Sequence, residues 1–283
     1  MREARPNWPN GIGLLLIHAG ALLAFLPMVF SWWALRAAGI IAYVTGAFGI
    51  TLNYHRCLTH RSLRMVRPLE YLTAIFGALA LQGDPITWVA THRIHHAHSD
   101  DEGDPHSTRK GLTWAHVTWL FAKNDNVPTG NDDFKRYAPD LVADPFYRAL
   151  AYLHMPLQLA LAAGLYLIGG WPFVIWGIFA RLVFSYHTTW LVNSAAHSVG
   201  YRSYKTTDRS TNSWWVALLS FGEGWHNNHH AFPYSARHGL AWYEIDITWW
   251  FIKAMRAMRL ADKVRVPTQQ VRERLRLQRP VQN

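Results

Sequence analysis

Four long stretches of this chain carry no fixed charge apart from one arginine, and this pattern restricts the fold more than any other feature. A helix needs about 20 predominantly apolar residues to cross the hydrocarbon core of a membrane. The four stretches cover 11–33, 37–53, 149–169 and 173–193. They predict an all-α integral membrane protein with four transmembrane helices, paired as two hairpins.

One arginine and the other basic residues refine this prediction. Arg181 interrupts the fourth stretch and is expected to face the bundle interior, where it pairs with an acid or contacts a substrate head group. With four spans, all of the 28 Lys and Arg residues except Arg36 and Arg181 fall on one side of the membrane. Loops rich in Lys and Arg are usually cytoplasmic. We therefore expect a multi-pass protein with cytoplasmic termini and cytoplasmic regions 54–148 and 194–283.

Four shorter segments have a recognisable character. The segment 69–82 is apolar but too short to span, which predicts a buried or re-entrant helix. The segment 123–144 is polar and contains proline and glycine, as is typical of a loop. The apolar patch 214–221 is expected on the membrane surface. The Arg-rich segment 263–283 is interpreted as a basic tail or an interfacial helix.

Composition limits the kinds of site and partner. Cys57 is the single cysteine, which excludes an internal disulfide framework and a cysteine-rich zinc or iron–sulfur site. A metal centre must therefore use nitrogen and oxygen ligands. The net charge of +10 suits nucleic acid, anionic lipid or an acidic protein. The apolar stretches favour lipid and an acidic protein, so no nucleic-acid partner is expected.

Histidines are grouped on the predicted cytoplasmic side. The three groups are His55 and His60; His92, His95 and His96; and His226, His229 and His230. In the second and third groups the spacing is i, i+3, i+4, so the imidazoles share one face of a helix. His55 and His60 are about 140° apart on an α-helix, so one of them requires a helix end or a distortion. His197 follows Asn193 by one helical turn, at the cytoplasmic end of the fourth span.

These nine histidines predict a metal centre. Nine imidazoles are too many for one ion but suit two, with positions left open for water or oxygen. Zinc cannot change valence, so oxygen activation favours iron. Asn193 could face the same centre directly or through a water, while Glu223, Asp104 and His106 could orient ligating imidazoles. The isolated histidines are interpreted as packed or interfacial residues: His18, His116, His154, His187 and His238.

Several motifs resemble those of one family. HRCLTH at 55–60, HRIHH at 92–96 and HNNHH at 226–230 resemble the three histidine boxes of integral-membrane fatty-acid desaturases. The Δ9 (stearoyl) branch is the most similar, since QGDP at 82–85, GDPHS at 103–107, NSAAH at 193–197 and GEGWHNNHHAFPYSARHG at 222–239 also match. The resemblance runs from about 11 to about 267. The wording of the last motif is similar to bacterial and cyanobacterial members.

The resemblance implies a fold and an activity. A single desaturase domain, 1–283, would have four transmembrane helices under a cytosolic helical cap. The nine histidines would hold two irons, with Asn193 contributing through a water. Dioxygen and two electrons would convert a saturated acyl chain in an apolar tunnel into a cis Δ9 alkene.

The resemblance leaves the carrier and the electron donor open. The carrier could be a lipid, CoA or acyl carrier protein, and Arg61, Arg64 and Arg67 are candidates for binding the phosphates of CoA. No His-Pro-Gly-Gly haem motif is present. The donor is therefore expected to be a separate ferredoxin or cytochrome b5. A related di-iron hydroxylase or ketolase is the alternative. A metal transporter is a third, but it should place its ligands inside the spans.

Overall fold

The computed structural model describes residues 5–282, so the predictions that fall on 1–4 and on Asn283 lie outside the described residues. The described chain is mostly helical. Its α-helices are α1 Trp8–Leu22, α2 Trp32–Tyr43, α3 Arg67–Leu79, α4 Pro85–His98, α5 Leu112–His116, α6 Asn131–Tyr137, α7 Pro139–Ala143, α8 Pro145–Val174, α9 Arg181–Ser194, α10 Trp214–Leu219, α11 His226–Ala231, α12 Ile247–Ala257 and α13 Gln269–Leu275. Its strands are β1 Arg64–Met65, β2 Tyr201–Tyr204, β3 Ala261–Asp262 and β4 Arg276–Gln282.

The first two apolar stretches form two long helices. Both contain a segment with enough length and hydropathy to cross a membrane, Trp8–Phe25 in the first and Trp32–Thr59 in the second. The break falls earlier than the sequence predicted. Pro27 begins a short 3-10 turn, and the Ser31 hydroxyl then accepts a hydrogen bond from the Ala34 N–H at 3.3 Å, which caps α2.

A π-helical segment, Val44–Thr59, continues α2 without interruption. Hydrogen bonds from i+5 to i are rare in helices and are frequent at functional sites. At its end the His60 N–H donates to the His55 carbonyl at 3.1 Å. Residues five apart are thus about one turn apart, and the His55 and His60 ring centroids lie 4.8 Å from each other. This is the distortion that the spacing of the two histidines required.

The third apolar helical segment, Pro145–His197, contains 53 residues and is the third with the character of a span. Non-helical backbone at Gly169 and Gly170 divides it, and Gly170 has a φ of +66° that a residue with a side chain rarely adopts. The break coincides with the predicted turn between the third and fourth stretches.

Helix α3 confirms the prediction of a buried helix for 69–82. Ala74 and Ala78 are fully buried, and α3 packs against the π-helical segment so tightly that a Cβ at Gly49 would lie 2.4 Å from the Gly77 nitrogen. Its C-terminal Leu79 carbonyl accepts a hydrogen bond from Arg181 at 2.9 Å.

Arg181 is 2% exposed and also donates to the Gly177 carbonyl at 2.7 Å. It therefore faces the bundle interior, as predicted. It donates to two backbone carbonyls, of which that of Leu79 is at a helix end, rather than to any carboxylate in residues 5–282.

The remaining helices and two small ribbons cover the ends of the long helices. Strand β1 pairs antiparallel with β3, and β2 pairs antiparallel with β4. The prediction of a loop over 123–144 was wrong in part, since α6 and α7 lie there. Acidic residues in the first turn of α6 and basic residues in its last turn favour that helix. The Arg-rich segment is not a free tail in its described part, because α13 and β4 fold onto the other elements.

Helix α10 falls within the apolar patch 214–221. Val216 and Ala217 are buried, while Trp214 is 64% exposed. An exposed tryptophan on a short helix suits an interface between membrane and water.

Candidate metal centre

Folding brings the nine predicted histidines together as two adjacent clusters. The first cluster consists of His55, His60, His92, His96 and His229. The second consists of His95, His197, His226 and His230. Within each cluster, one ring nitrogen from every member lies within 4.8 Å of the others.

The spacing of the nitrogens suits a bound metal ion. In the first cluster the Nε2 atom of His229 lies 3.2 Å from that of His55 and 3.0 Å from that of His96. In the second, the Nε2 atoms of His226 and His230 lie 3.0 Å apart. Imidazole nitrogens bind such ions at about 2.1 Å, so ligands at right angles lie about 3.0 Å from each other. The donor set therefore fits two divalent transition metal ions.

Two further nitrogens support this fit. The Nε2 atoms of His60 and His197 are buried and lack a hydrogen-bond partner within residues 5–282. A buried polar atom without a partner costs free energy of about 1–3 kcal/mol. A metal ion would satisfy both atoms, since each lies within its cluster.

Adjacent histidines separate the two clusters. His95 and His96 are neighbours on α4, and His229 and His230 are neighbours on α11, yet each pair divides between the clusters. Successive residues on a helix point about 100° apart, so two neighbouring histidines can each point to a different metal position. The rings of His96 and His230 stack across the boundary with centroids 4.6 Å apart.

Carboxylates contact the other ring nitrogen of four cluster histidines. The pairs are His55 with Glu223 (2.7 Å), His95 with Asp104 (3.0 Å), His197 with Asp100 (2.9 Å) and His230 with Asp208 (2.6 Å). Each contact is made through Nδ1, which leaves Nε2 free to ligate, and such partners orient the ring. Glu223 and Asp104 were predicted in this role.

Asp100, Asp208 and His106 depart from the prediction. Asp100 belongs to the acidic turn after α4, and Asp208 stands alone in a polar loop with no sequence signal. His106 contacts Asp104 at 3.7 Å rather than a ligating nitrogen, and its ring lies 4.4 Å from that of His95.

Burial controls the charge of this centre. It lowers the pKa of His60, His92, His96, His226 and His229 well below the usual value for imidazole. Burial likewise lowers the pKa of His230 to about 4, although Asp208 opposes the shift. These rings are therefore neutral at pH 7, which is the form that binds a metal.

A buried ion network supports Glu223. Burial alone would raise the pKa of this carboxyl, but His55, His238 and Arg56 hold it well below its usual range. Arg56 has no exposed surface, and its guanidinium donates twice to Glu223 Oε1 at 3.1 Å and once to Asp246 at 3.0 Å.

An apolar cavity is lined by residues of α2, the π-helical segment and α9, and it reaches both clusters. His55 and His226 line it, as do Ala42 on α2 and Gly46 in the π-helical segment. Asn193 lines the cavity beside the second cluster.

Comparison with known proteins decides the family. The model of the fatty acid desaturase family matches residues 8–263. The chain belongs to this family. It is therefore an oxidoreductase.

Three similar relatives of this desaturase are bacterial. An sn-1 stearoyl-lipid 9-desaturase of Anabaena variabilis is 50% identical, over 92% of this chain and 94% of the relative. An sn-1 stearoyl-lipid 9-desaturase of Synechocystis sp. is 49% identical, over 93% and 81%. An sn-2 palmitoyl-lipid 9-desaturase of Nostoc sp. is 47% identical, over 91% and 90%.

Four of the five isolated histidines of this desaturase are packed, as predicted. His187 lies between His18 and His116, with nitrogens 3.2 and 2.9 Å apart. His116 also contacts the Ser194 hydroxyl at 2.9 Å, and His154 contacts the Ala151 carbonyl at 2.7 Å.

The interpretation of His238 as an ordinary packed residue was incomplete. It is 1% exposed, and its Nδ1 lies 3.0 Å from Glu223 Oε2. Its ring centroid is 4.4 Å from that of His229 in the first cluster. His238 directly follows the YSAR segment and lies eight residues after the last histidine group. No helical spacing therefore links it to that group in the sequence.

Proposed function

We propose that this desaturase introduces a cis Δ9 double bond into a saturated acyl chain carried by a membrane lipid. The observation that carries the proposal is the convergence of nine imidazoles on two positions beside an apolar cavity. The names of the three relatives supply the Δ9 position and the lipid carrier.

We propose that each cluster holds one iron ion and that Asn193 acts on the second through a water. The irons would supply the dioxygen chemistry that removes two hydrogens from adjacent methylenes. The acyl chain gives two hydrogen atoms and an external donor gives two electrons, which with two protons reduce dioxygen to two waters. The surrounding carboxylates hold the Nε2 atoms of His55, His95, His197 and His230 toward the ions, and burial keeps most of the rings neutral.

The cavity supports an acyl substrate. Ala42 and His55, which are 13 residues apart, both line the cavity, and its lining is mostly apolar, as an acyl chain requires. Because the methylenes are chemically alike, position along the cavity selects the one that reacts. The Gln82 amide donates to Thr189 at 2.9 Å in the cavity wall, so two elements are tied together there.

The three arginines considered for CoA lie together in a polar pocket that is separate from the apolar cavity. Each of them contacts a carboxylate, and the pairs are Arg61 with Asp140, Arg64 with Asp262 and Arg67 with Glu70. None of the three lines the apolar cavity.

We further propose four transmembrane crossings, with the break at Gly170 dividing the third apolar segment into two. Both termini and both clusters would then lie in the cytoplasm, where the excess of Lys and Arg is found. A separate ferredoxin or cytochrome b5 would supply the electrons, and the basic cytoplasmic surface would attract such an acidic protein.

Expression in a host without a desaturase tests the proposal. Total fatty acids are analysed by gas chromatography with location of the double bond, first in the whole extract and then by lipid class. New Δ9 monoenes in intact lipids are expected. An oxygenated chain would instead indicate a hydroxylase, and no product with an iron-loaded protein and a co-expressed ferredoxin would refute the proposal.

A further inference from the structure

His238 approaches the first cluster without belonging to it. Its Nδ1 lies 3.0 Å from Glu223 Oε2, and the same oxygen lies 2.7 Å from His55 Nδ1. One carboxylate oxygen therefore faces two imidazoles, of which only His55 is in the cluster. Both imidazoles approach this oxygen through Nδ1.

The other oxygen of Glu223 is fixed as well. Its Oε1 accepts two hydrogen bonds from Arg56, both at 3.1 Å. Arg56 thus holds one side of the carboxylate, while His55 and His238 hold the other. Without His238, Oε2 would keep a single neighbour, and Glu223 would be less restricted in how it meets His55.

The ring of His238 also packs on the cluster. Its centroid lies 4.4 Å from that of His229 and 5.4 Å from that of His55. Within residues 5–282 neither its Nε2 nor its Nδ1 meets hydrogen-bond geometry, although both are buried. Its contacts are therefore the 3.0 Å approach of Nδ1 to Glu223, a tilted contact with the ring of His229 and an edge contact with the ring of His55.

We propose that His238 is a positioning residue for the first cluster. Through the 3.0 Å approach of its Nδ1 to Glu223 Oε2 and its packing against His229, it holds His55 and His229 where one metal ion is bound. The inference rests on the proposed function, because it assumes a metal ion at that cluster. Its test reads metal binding rather than desaturation, so the two can fail separately.

Two substitutions separate the nitrogens of His238. The amide of His238→Asn stands near the place of Nδ1 and can donate to Glu223, whereas the amide of His238→Gln stands near the place of Nε2. Purified full-length proteins are titrated with Fe²⁺ against a competing chelator. We expect His238→Gln to weaken the binding of one of the two Fe²⁺ ions by about 10- to 100-fold, which is the usual effect of losing such a partner. The Fe²⁺ affinity of His238→Asn should stay close to that of the parent protein.

A spectrum and a control complete the test. In a parallel series Co²⁺ replaces Fe²⁺, because the visible absorption of Co²⁺ reports the arrangement of its ligands. This absorption should change for one of the two bound ions only. His154→Asn is the matched control, because His154 contacts a carbonyl on α8 away from the centre. Melting of the metal-free proteins should be alike for the two His238 variants.

Several outcomes would overturn the proposal. Equal losses in the Asn and Gln variants, or loss of both ions together, would indicate a general packing role. If His238→Gln kept the metal affinity of the parent protein and His238→Asn lost it, the positioning function would belong to Nε2 instead. If the parent protein bound two ions and His238→Ala bound them equally tightly, His238 would have no positioning role.

Discussion

Arg56 provides the sharpest test of how the centre is supported. Its side chain is fully buried and makes contacts of 2.8 to 3.1 Å with Glu223, Asp246 and the Ala236 carbonyl. Replacing it with methionine preserves most of the volume but leaves two buried carboxylates without their cation. Removing one partner of a buried ion pair typically costs about 3–5 kcal/mol. That is a large share of the about 5–15 kcal/mol that usually stabilises a native protein.

The assay is unfolding in detergent micelles, followed by circular dichroism, together with iron content. We expect Arg56→Met to lose about 3–5 kcal/mol of unfolding free energy and to lose iron from the first cluster. Adding Asp246→Asn removes one of the two unpaired charges, so the double variant should recover part of the loss. Asp246→Asn alone is the control, because Asp246 also accepts the Trp249 N–H at 3.0 Å at the start of α12.

Arg56→Lys refines the test. Lysine keeps the charge but not the planar fork of donors, so an intermediate loss is expected. A loss below about 1 kcal/mol in Arg56→Met would contradict the reasoning, since it would fall in the range of an exposed ion pair. Failure of the double variant to recover any stability would contradict it equally, because the cost would then not arise from unpaired carboxylates.

Three further predictions concern packing, charge and metal retention. Gly49→Ala should destabilise the protein by about 1–3 kcal/mol in the same unfolding assay, because its Cβ would meet the backbone of α3; Gly39→Ala, where nothing lies within 4 Å, should not destabilise it. Burial lowers the pKa of most cluster histidines, so the unfolded chain binds more protons below about pH 6.5 and the stability of the metal-free protein should fall as pH drops through that value; a melting temperature that stays flat from pH 8 to 5 would contradict this. Asp208→Asn should lower metal affinity at the second cluster by about 10- to 100-fold, measured by chelator competition, while the first cluster keeps its ion.

Some features of the site were open to prediction because they depend on local patterns. Imidazoles at i, i+3 and i+4 share a helix face in any context, and α4 and α11 present them so. The topology inferred from the apolar stretches placed all three groups at the same ends of the helices. The division of His95 from His96 and of His229 from His230 was not open to prediction, because it depends on where the opposite helix stands.

Other features depend on contacts between distant parts of the chain. Asp208 has no motif around it, and only the docking of its loop on α11 places it 2.6 Å from His230. His238 lies outside the boxes, and the burial of Glu223 brings the two together. One partner of Arg181 is the Leu79 carbonyl at the end of α3, about a hundred residues earlier, so the neighbours of Arg181 in sequence do not indicate it.

The sequence by itself determined the apolar helical segments, the histidine groups and the family, because hydropathy and helical spacing act over a few turns of the chain. It also indicated that His55 and His60 required a distorted helix. Only the tertiary structure decided that the distortion is a π-helical segment, which histidines share a cluster and which carboxylates and arginine hold them. The physical reason is that a buried charge is tolerated only where its partners meet it, and those partners are brought in by the packing of elements that lie far apart in sequence.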